Sequence, residues 1–140
     1  MTLVFVDCEA PYGKGSPAVA DMTEFGAVID PRTTYHGTDC SEATMQAFAG
    51  WLRKWDRPTF MSDNPAYDWQ WINFYFWKYG IDNPFGFSAR RIGDYYAGLV
   101  GDFRAASNWK RLRVTKHDHN PVNDAMGNYE AFQRMEAGER

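Results

Sequence analysis

The sequence predicts an α/β fold in which helices pack on a mixed β-sheet. The chain has 140 residues, which matches one domain of ordinary size, so we expect a single domain over residues 1–140. Hydrophobic residues make up 44 % and charged residues 24 %, a balance that supports a buried core and excludes a disordered chain. Strand patterns come first, and helical patterns with one further strand follow.

The first quarter of the chain reads as strands. Leu3–Val6 is a continuous apolar run, typical of a strand that is buried on both faces, and it stops at the polar Asp7-Cys8-Glu9. Residues 11–18 contain two prolines and two glycines and therefore predict a loop. Thr23–Asp30 alternates between apolar and polar residues, and Thr33–His36 follows as the second strand of a hairpin.

Helical patterns dominate the rest of the chain. Ser41 is a good N-cap for a helix whose apolar stripe runs to Trp55, and a brief strand follows at Thr59–Met61. Asn-Pro pairs open two longer helices, Pro65–Tyr79 and Pro121–Met135.

The segment between these two helices shows only one periodic pattern. Residues 82–90 look irregular, Ile92–Val100 predicts a short helix, and residues 101–119 are polar and basic without a clear period.

Charge and composition exclude several classes of protein. The 15 basic and 18 acidic residues give a net charge of −3, which excludes a polycationic nucleic-acid coat but not a nucleic-acid enzyme. No apolar run approaches the ~20 residues of a membrane span, and we expect neither a signal peptide nor a membrane partner. Cys8 and Cys40 are expected to be free thiols, which favours the cytoplasm.

Two carboxylates stand at the end of the first strand. Asp7 and Glu9 are two residues apart, so a strand would place both side chains on one face of the sheet. Neighbouring carboxylates repel each other and resist burial, and a divalent cation between them removes that cost. The alternative is that the strand ends there and both side chains face solvent.

Two more aspartates share a local setting. Asp68 and Asp124 each lie three residues after the proline of an Asn-Pro pair, in the first turn of a predicted helix. The positive end of the helix dipole favours their ionised form. The alternative is that they only stabilise their helices.

His119 stands just before the last predicted helix. A histidine has an unperturbed pKa near ~6.5, which suits a general base, although a solvated loop histidine is the alternative. A zinc site at His117-Asp118-His119 is a weaker interpretation, because His36 is the only further nitrogen ligand and Cys8 and Cys40 are not spaced as a pair.

The motif residues follow one another as Asp7-x-Glu9, Asp68 and His119-x-x-x-x-Asp124. This order resembles the DEDDh family of 3′–5′ exonucleases, which includes proofreading exonuclease subunits, RNase T and oligoribonuclease. Residues 62–68 and 119–125 are most similar to the small exoribonuclease-like branch of bacteria and phages. The resemblance covers residues 3–135 and implies an RNase H-like fold with a five-stranded mixed sheet flanked by helices.

The resemblance also implies a two-metal hydrolysis of phosphodiester bonds by two Mg²⁺ or Mn²⁺ ions. Asp7 would bridge both ions, Glu9 and Asp124 would complete one site, and Asp68 would act on the second ion through water. His119 would be the general base. The implied substrate is single-stranded nucleic acid, RNA in preference to DNA.

Candidate substrate contacts lie outside the motif. Tyr12 belongs to the 11–18 loop, which replaces the tight turn of the family, and we expect it to contact the nucleotide. Arg111 and Arg113 are candidates for phosphate contacts, and Trp109 for stacking on a base; the alternative is a solvated loop. The helix Pro65–Tyr79 is apolar on nearly every side, which favours a homodimer.

Two alternative functions share the same fold. An inactive nucleic-acid-binding module is disfavoured because all five motif residues are intact. An RNase H-type endonuclease usually takes its second carboxylate from a helix, whereas Asp7 and Glu9 share a strand.

Overall fold

A five-stranded mixed β-sheet flanked by four α-helices forms the fold, in a computed structural model that describes all residues from Met1 to Arg140. This confirms the predicted α/β class and the sheet expected of an RNase H-like fold. The strands are β1 (Thr2–Glu9), β2 (Glu24–Asp30), β3 (Thr33–Gly37), β4 (Pro58–Ser62) and β5 (Ala89–Arg91). Their order in the sheet is β3-β2-β1-β4-β5, with β1, β2 and β3 antiparallel and β1, β4 and β5 parallel.

Helices cover both faces of the sheet. They are α1 (Glu42–Leu52), α2 (Pro65–Lys78), α3 (Ile92–Val100) and α4 (Pro121–Glu136), with 3₁₀ turns at Phe103–Ala105 and Asn108–Leu112. One core lies between the sheet and α1 and α2, and the other between the sheet and α3 and α4. Side chains of β1 alternate between them, since Val4 and Val6 pack in the first core and Phe5 packs in the second.

Strand β1 is longer than the apolar run predicted. Its polar end pairs with β2, and Asp7 lies opposite Gly26 while Glu9 lies opposite Glu24. Cys8, between the two carboxylates, is buried in the first core and is a free thiol, as is Cys40. The carboxylates therefore lie within the sheet and not beyond it.

Residues 82–90 were predicted to be irregular, and this was wrong for the last two, because β5 begins at Ala89. This strand of three residues pairs only with β4 and forms the edge of the sheet. Its sequence, Ala-Arg-Arg, has no strand pattern, so pairing with β4 decides its conformation.

A glycine brings the start of α4 onto the sheet. A Cβ atom at Gly26 would lie 2.4 Å from the backbone carbonyl carbon of Pro121, the first residue of α4. Because Gly26 lies opposite Asp7, this close approach sets the first turn of α4 beside the polar end of β1.

Helix α2 uses most of its aromatic side chains inside the chain. Trp71, Tyr75 and Phe76 are fully buried in the first core, whereas Phe74 and Trp77 are exposed. Packing within the chain thus accounts for most of the apolar surface of α2, and the homodimer stays a prediction. None of the helices has the length and apolar character that a membrane crossing requires.

Candidate active site

Three carboxylates meet at the polar end of β1. The side-chain oxygens of Asp7 and Glu9 on β1 and of Asp124 on α4 lie within 4.8 Å of one another. We call these three residues the carboxylate cluster. Two of its oxygens, Oδ2 of Asp7 and Oδ2 of Asp124, are fully buried and accept no hydrogen bond. Buried oxygens without donors are unfavourable unless a proton or a cation satisfies them.

The charge of the cluster is suppressed when no cation is present. Burial, together with the neighbouring carboxylates of Asp68, Asp124 and Glu9, raises the pKa of Asp7 to about 10. Burial also raises the pKa of Glu9, although nearby His119 opposes that shift. At neutral pH Asp7 therefore holds a proton, and a divalent cation would replace it.

Asp68 contacts β1 from the face of the sheet that α2 covers, opposite the face that α4 covers. It lies in the first turn of α2, is buried, and its Oδ1 accepts a hydrogen bond of 3.0 Å from the backbone N–H of Cys8. Burial raises the pKa of Asp68 to about 7, and the Cys8 N–H opposes the shift. One oxygen is thus committed to the backbone, and Asp68 stands beside the carboxylate cluster and not in it.

Asp124 is held by the turn that precedes α4. Asn120 caps the helix by accepting the N–H groups of Val122 and Asn123. Oδ1 of Asp124 accepts the N–H of Asp118 at 3.0 Å, and its side chain is 3 % exposed. The carboxylate is therefore fixed in direction while Oδ2 remains free of hydrogen bonds.

His119 lies at the rim of the site. Its side chain is 80 % exposed, and its Nδ1 is 3.8 Å from Oε1 of Glu9. Its backbone has a φ of +63°, in the left-handed region that is uncommon outside glycine. Asp118 holds this turn by accepting the N–H of Asn120 and a side-chain N–H of Asn123.

His117 contacts the carboxylate cluster, although the sequence analysis considered it only as a possible zinc ligand. Its Nδ1 is 2.9 Å from Oδ2 of Asp124, and its ring centroid is 4.6 Å from that of His119. His36, considered as a third nitrogen ligand for zinc, pairs instead with Glu24, its Nε2 2.7 Å from a carboxylate oxygen. The two-residue spacing of His117 and His119 was the available signal.

A cleft of about 570 Å³ opens beside Glu9 and His119. Residues 10–15 and Tyr67 form the rest of its wall. Tyr12 lies in this wall and is fully exposed, so its side chain is free to contact a ligand.

Sequence reasoning missed two side chains of the cleft, Lys14 and Tyr67. Lys14 was detectable as the sole cation of the proline- and glycine-rich loop, because residues 11–18 carry no other. The side chain of Gln70 on α2 donates a hydrogen bond of 2.6 Å to the carbonyl of Gly15 and fastens this loop.

The prediction that Trp109 stacks on a base was wrong. Trp109 is fully buried in the core between the sheet and α3 and α4, and the Arg113 guanidinium lies 4.8 Å from its ring centroid. A base could reach the indole only if this core opened. The 3₁₀ turn at Asn108–Leu112 points the ring inward, which the aperiodic local sequence did not reveal.

The arginines of the basic run do not reach the cleft either. Arg113 donates two hydrogen bonds to Oδ1 of Asn128, and its side chain is only 16 % exposed, so its guanidinium is engaged within the chain. Arg111 donates to the hydroxyl of Tyr96 at 3.0 Å but remains exposed. Neither arginine lines the cleft, and contact of Arg111 or Arg113 with phosphate stays a prediction.

Comparison with known proteins adds one relative. No family model matches the sequence. An alignment of 109 positions, which covers 71 % of this chain, shows 30 % identity to an Escherichia coli protein named 3′-5′ DNA exonuclease Cap18. The match covers 58 % of that protein, so the chain spans little more than half of its relative's length. The chain is thus similar to part of a bacterial 3′–5′ DNA exonuclease.

Proposed function

We propose that the chain is a metal-dependent 3′–5′ exonuclease that acts on single-stranded nucleic acid. The carboxylate cluster carries this proposal, since Asp7, Glu9 and Asp124 converge beside an open cleft with two buried oxygens that accept no hydrogen bond. The similarity to a 3′–5′ DNA exonuclease supports the reaction class.

The donor set of the cluster fits hard divalent cations. All three residues offer carboxylate oxygens, which Mg²⁺ and Mn²⁺ prefer. Asp7, Glu9 and Asp124 would hold the ions, of which we propose two, and Asp68 would act on the second through water. When bound, such ions lower the pKa of a coordinated water and neutralise charge on the scissile phosphate.

His119 is the proposed general base. Its ring lies at the mouth of the cleft, 3.8 Å from Glu9, where it can accept a proton from a water that attacks the phosphate. High exposure allows the ring to release that proton to solvent after each cleavage.

The cleft is the proposed seat of the 3′-terminal nucleotide. Its volume lies within the ~300–1,000 Å³ of small-molecule sites, which suits one nucleotide better than a continuous strand. Tyr12 and Tyr67 offer aromatic surfaces for the base or sugar, and Lys14 offers a cation for a phosphate. Gln70 would position Lys14 by holding the loop at Gly15.

The two lines of support for this function differ on the sugar of the substrate. Resemblance to exoribonucleases favours RNA, whereas the name of the E. coli relative favours DNA. Discrimination would require a contact to the 2′-hydroxyl. We therefore propose single-stranded nucleic acid as the substrate class and separate the two sugars by experiment.

The test uses 5′-labelled RNA and DNA single strands of equal sequence, with Mg²⁺, with Mn²⁺ or with chelator. We expect a ladder that shortens by single nucleotides from the 3′ end, requires the metal, and slows when the 3′ end carries a phosphate. Cleavage of a circular single strand at a comparable rate would favour the endonuclease alternative. Binding without any product would favour the inactive binding module.

A further inference from the structure

A second cluster of possible metal ligands lies at the rim of the site. The ligand atoms of His117, His119 and Asp124 lie within 4.8 Å of one another. We call this set the histidine cluster. Both imidazoles are exposed to solvent, so an ion can enter, while Asp124 is buried and fixed by its hydrogen bond from Asp118.

One oxygen of this cluster accepts no hydrogen bond. Oδ2 of Asp124 is fully buried and accepts no hydrogen bond, although Nδ1 of His117 lies only 2.9 Å away. A cation bound by this oxygen and by a ring nitrogen of His117 would satisfy the oxygen. In a tetrahedral zinc site with bonds of about 2.0–2.2 Å, ligand atoms stand roughly 3.3–3.6 Å apart. The ligand atoms of the histidine cluster lie within 4.8 Å of one another and include a pair 2.9 Å apart, which brackets that spacing.

The donor set distinguishes this cluster from the carboxylate cluster. Two imidazoles and one carboxylate are typical of zinc sites that keep a fourth position open for water. Imidazole nitrogen favours Zn²⁺ and Co²⁺, whereas Mg²⁺ prefers oxygen ligands. The two clusters therefore select different ions but share Asp124.

We propose that His117, His119 and Asp124 form a site for Zn²⁺ or a similar first-row transition ion, and that its occupation inhibits the exonuclease. Inhibition rests on the proposed function, because the ion engages the proposed base His119 and removes Asp124 from the carboxylate cluster. His117 contacts Asp124 but belongs only to the histidine cluster, so its replacement removes a ligand of the proposed Zn²⁺ site and no ligand of the carboxylate cluster.

Binding is tested on the full chain without nucleic acid. Zn²⁺ titration by calorimetry in Mg²⁺-free buffer should give one ion per chain, and Co²⁺ should give the visible absorption of a tetrahedral complex. His117→Ala should weaken Zn²⁺ binding at least ~100-fold, beyond the ~10–100-fold lost with a second-shell partner. His36→Ala is the matched control and should bind as the parent does, since His36 pairs with Glu24 outside the cluster.

Inhibition is tested with saturating Mg²⁺ and a labelled single strand. Zn²⁺ should inhibit the parent chain, and His117→Ala, compared with its own rate without Zn²⁺, should need at least ~100-fold more Zn²⁺ for the same fractional inhibition. Unchanged Zn²⁺ affinity in His117→Ala would overturn the proposal, as would loss of Zn²⁺ binding in folded Asp7→Asn but not in His117→Ala. Zn²⁺ binding that depends on His117 in a chain without nuclease activity would refute the exonuclease alone and leave the site standing.

Discussion

Replacing Asp7 by asparagine should stabilise the metal-free chain and abolish its Mg²⁺-dependent activity. The folded state raises the pKa of Asp7 from 3.8 to about 10. Between these values the unfolded chain has released the proton and the folded chain has kept it, so stability falls as the pH rises. Each pH unit above 3.8 lowers the free energy of unfolding of the parent by up to about 1.4 kcal/mol. At pH 7 the parent has therefore lost up to about 4 kcal/mol of stability, and Asp7→Asn has not.

The assay is urea unfolding in the presence of chelator from pH 5 to pH 8. The gain in unfolding free energy of Asp7→Asn should grow by up to about 1.4 kcal/mol per pH unit. Asp82→Asn removes the same charge from an exposed position and is the control. Addition of Mg²⁺ should stabilise the parent and the control but not Asp7→Asn.

Two results would refute this reasoning. A gain that does not change with pH would show that Asp7 carries no excess proton in the folded chain. Full Mg²⁺-dependent activity in Asp7→Asn would remove Asp7 from the proposed metal site.

Three further perturbations probe the base, the cleft and the packing. His119→Ala should lower the rate of strand degradation roughly 10²–10⁴-fold and leave Mn²⁺ binding intact in calorimetry; loss of that binding would make His119 a ligand. Lys14→Gln should raise KM more than it lowers kcat, and the exposed Lys54→Gln should change neither; a pure kcat effect would contradict a binding role. Gly26→Ala should lower the free energy of unfolding measured in urea by about 1–3 kcal/mol or more, because its Cβ would lie 2.4 Å from the backbone of α4. A Cβ atom at Gly50 would meet no atom within 4 Å, so Gly50→Ala should stabilise α1 by up to about 1 kcal/mol. Equal effects of the two substitutions would contradict the close approach of α4 at Gly26.

Local patterns in the sequence determined most of the elements. The Asn-Pro pairs start α2 and α4 at the predicted residues, because a proline favours the first position of a helix. The asparagine side chain caps only α4, since Asn64 makes no capping hydrogen bond at the start of α2. The apolar run at Leu3–Val6 lies inside β1, and the two-residue spacing of Asp7 and Glu9 brings their oxygens to one side of the sheet.

Tertiary contacts decided the environment of each side chain. Trp109 and Arg113 lie in a basic, aperiodic run, yet one is buried and the other is tied to Asn128 on α4. The pairing of β5 with β4 decided the conformation of a segment that looks irregular by itself.

The chemistry of the site depends on the same distinction. Sequence spacing identified four acidic residues and a histidine, but the raised pKa of Asp7 requires the burial that Gly26 and α4 create. The contact of His117 with Asp124 likewise arises only when the turn before α4 folds onto that helix. Periodicity and capping act within one turn or strand, whereas burial, ion pairing and ligand convergence depend on contacts between different turns, helices and strands, so only the folded chain settles them.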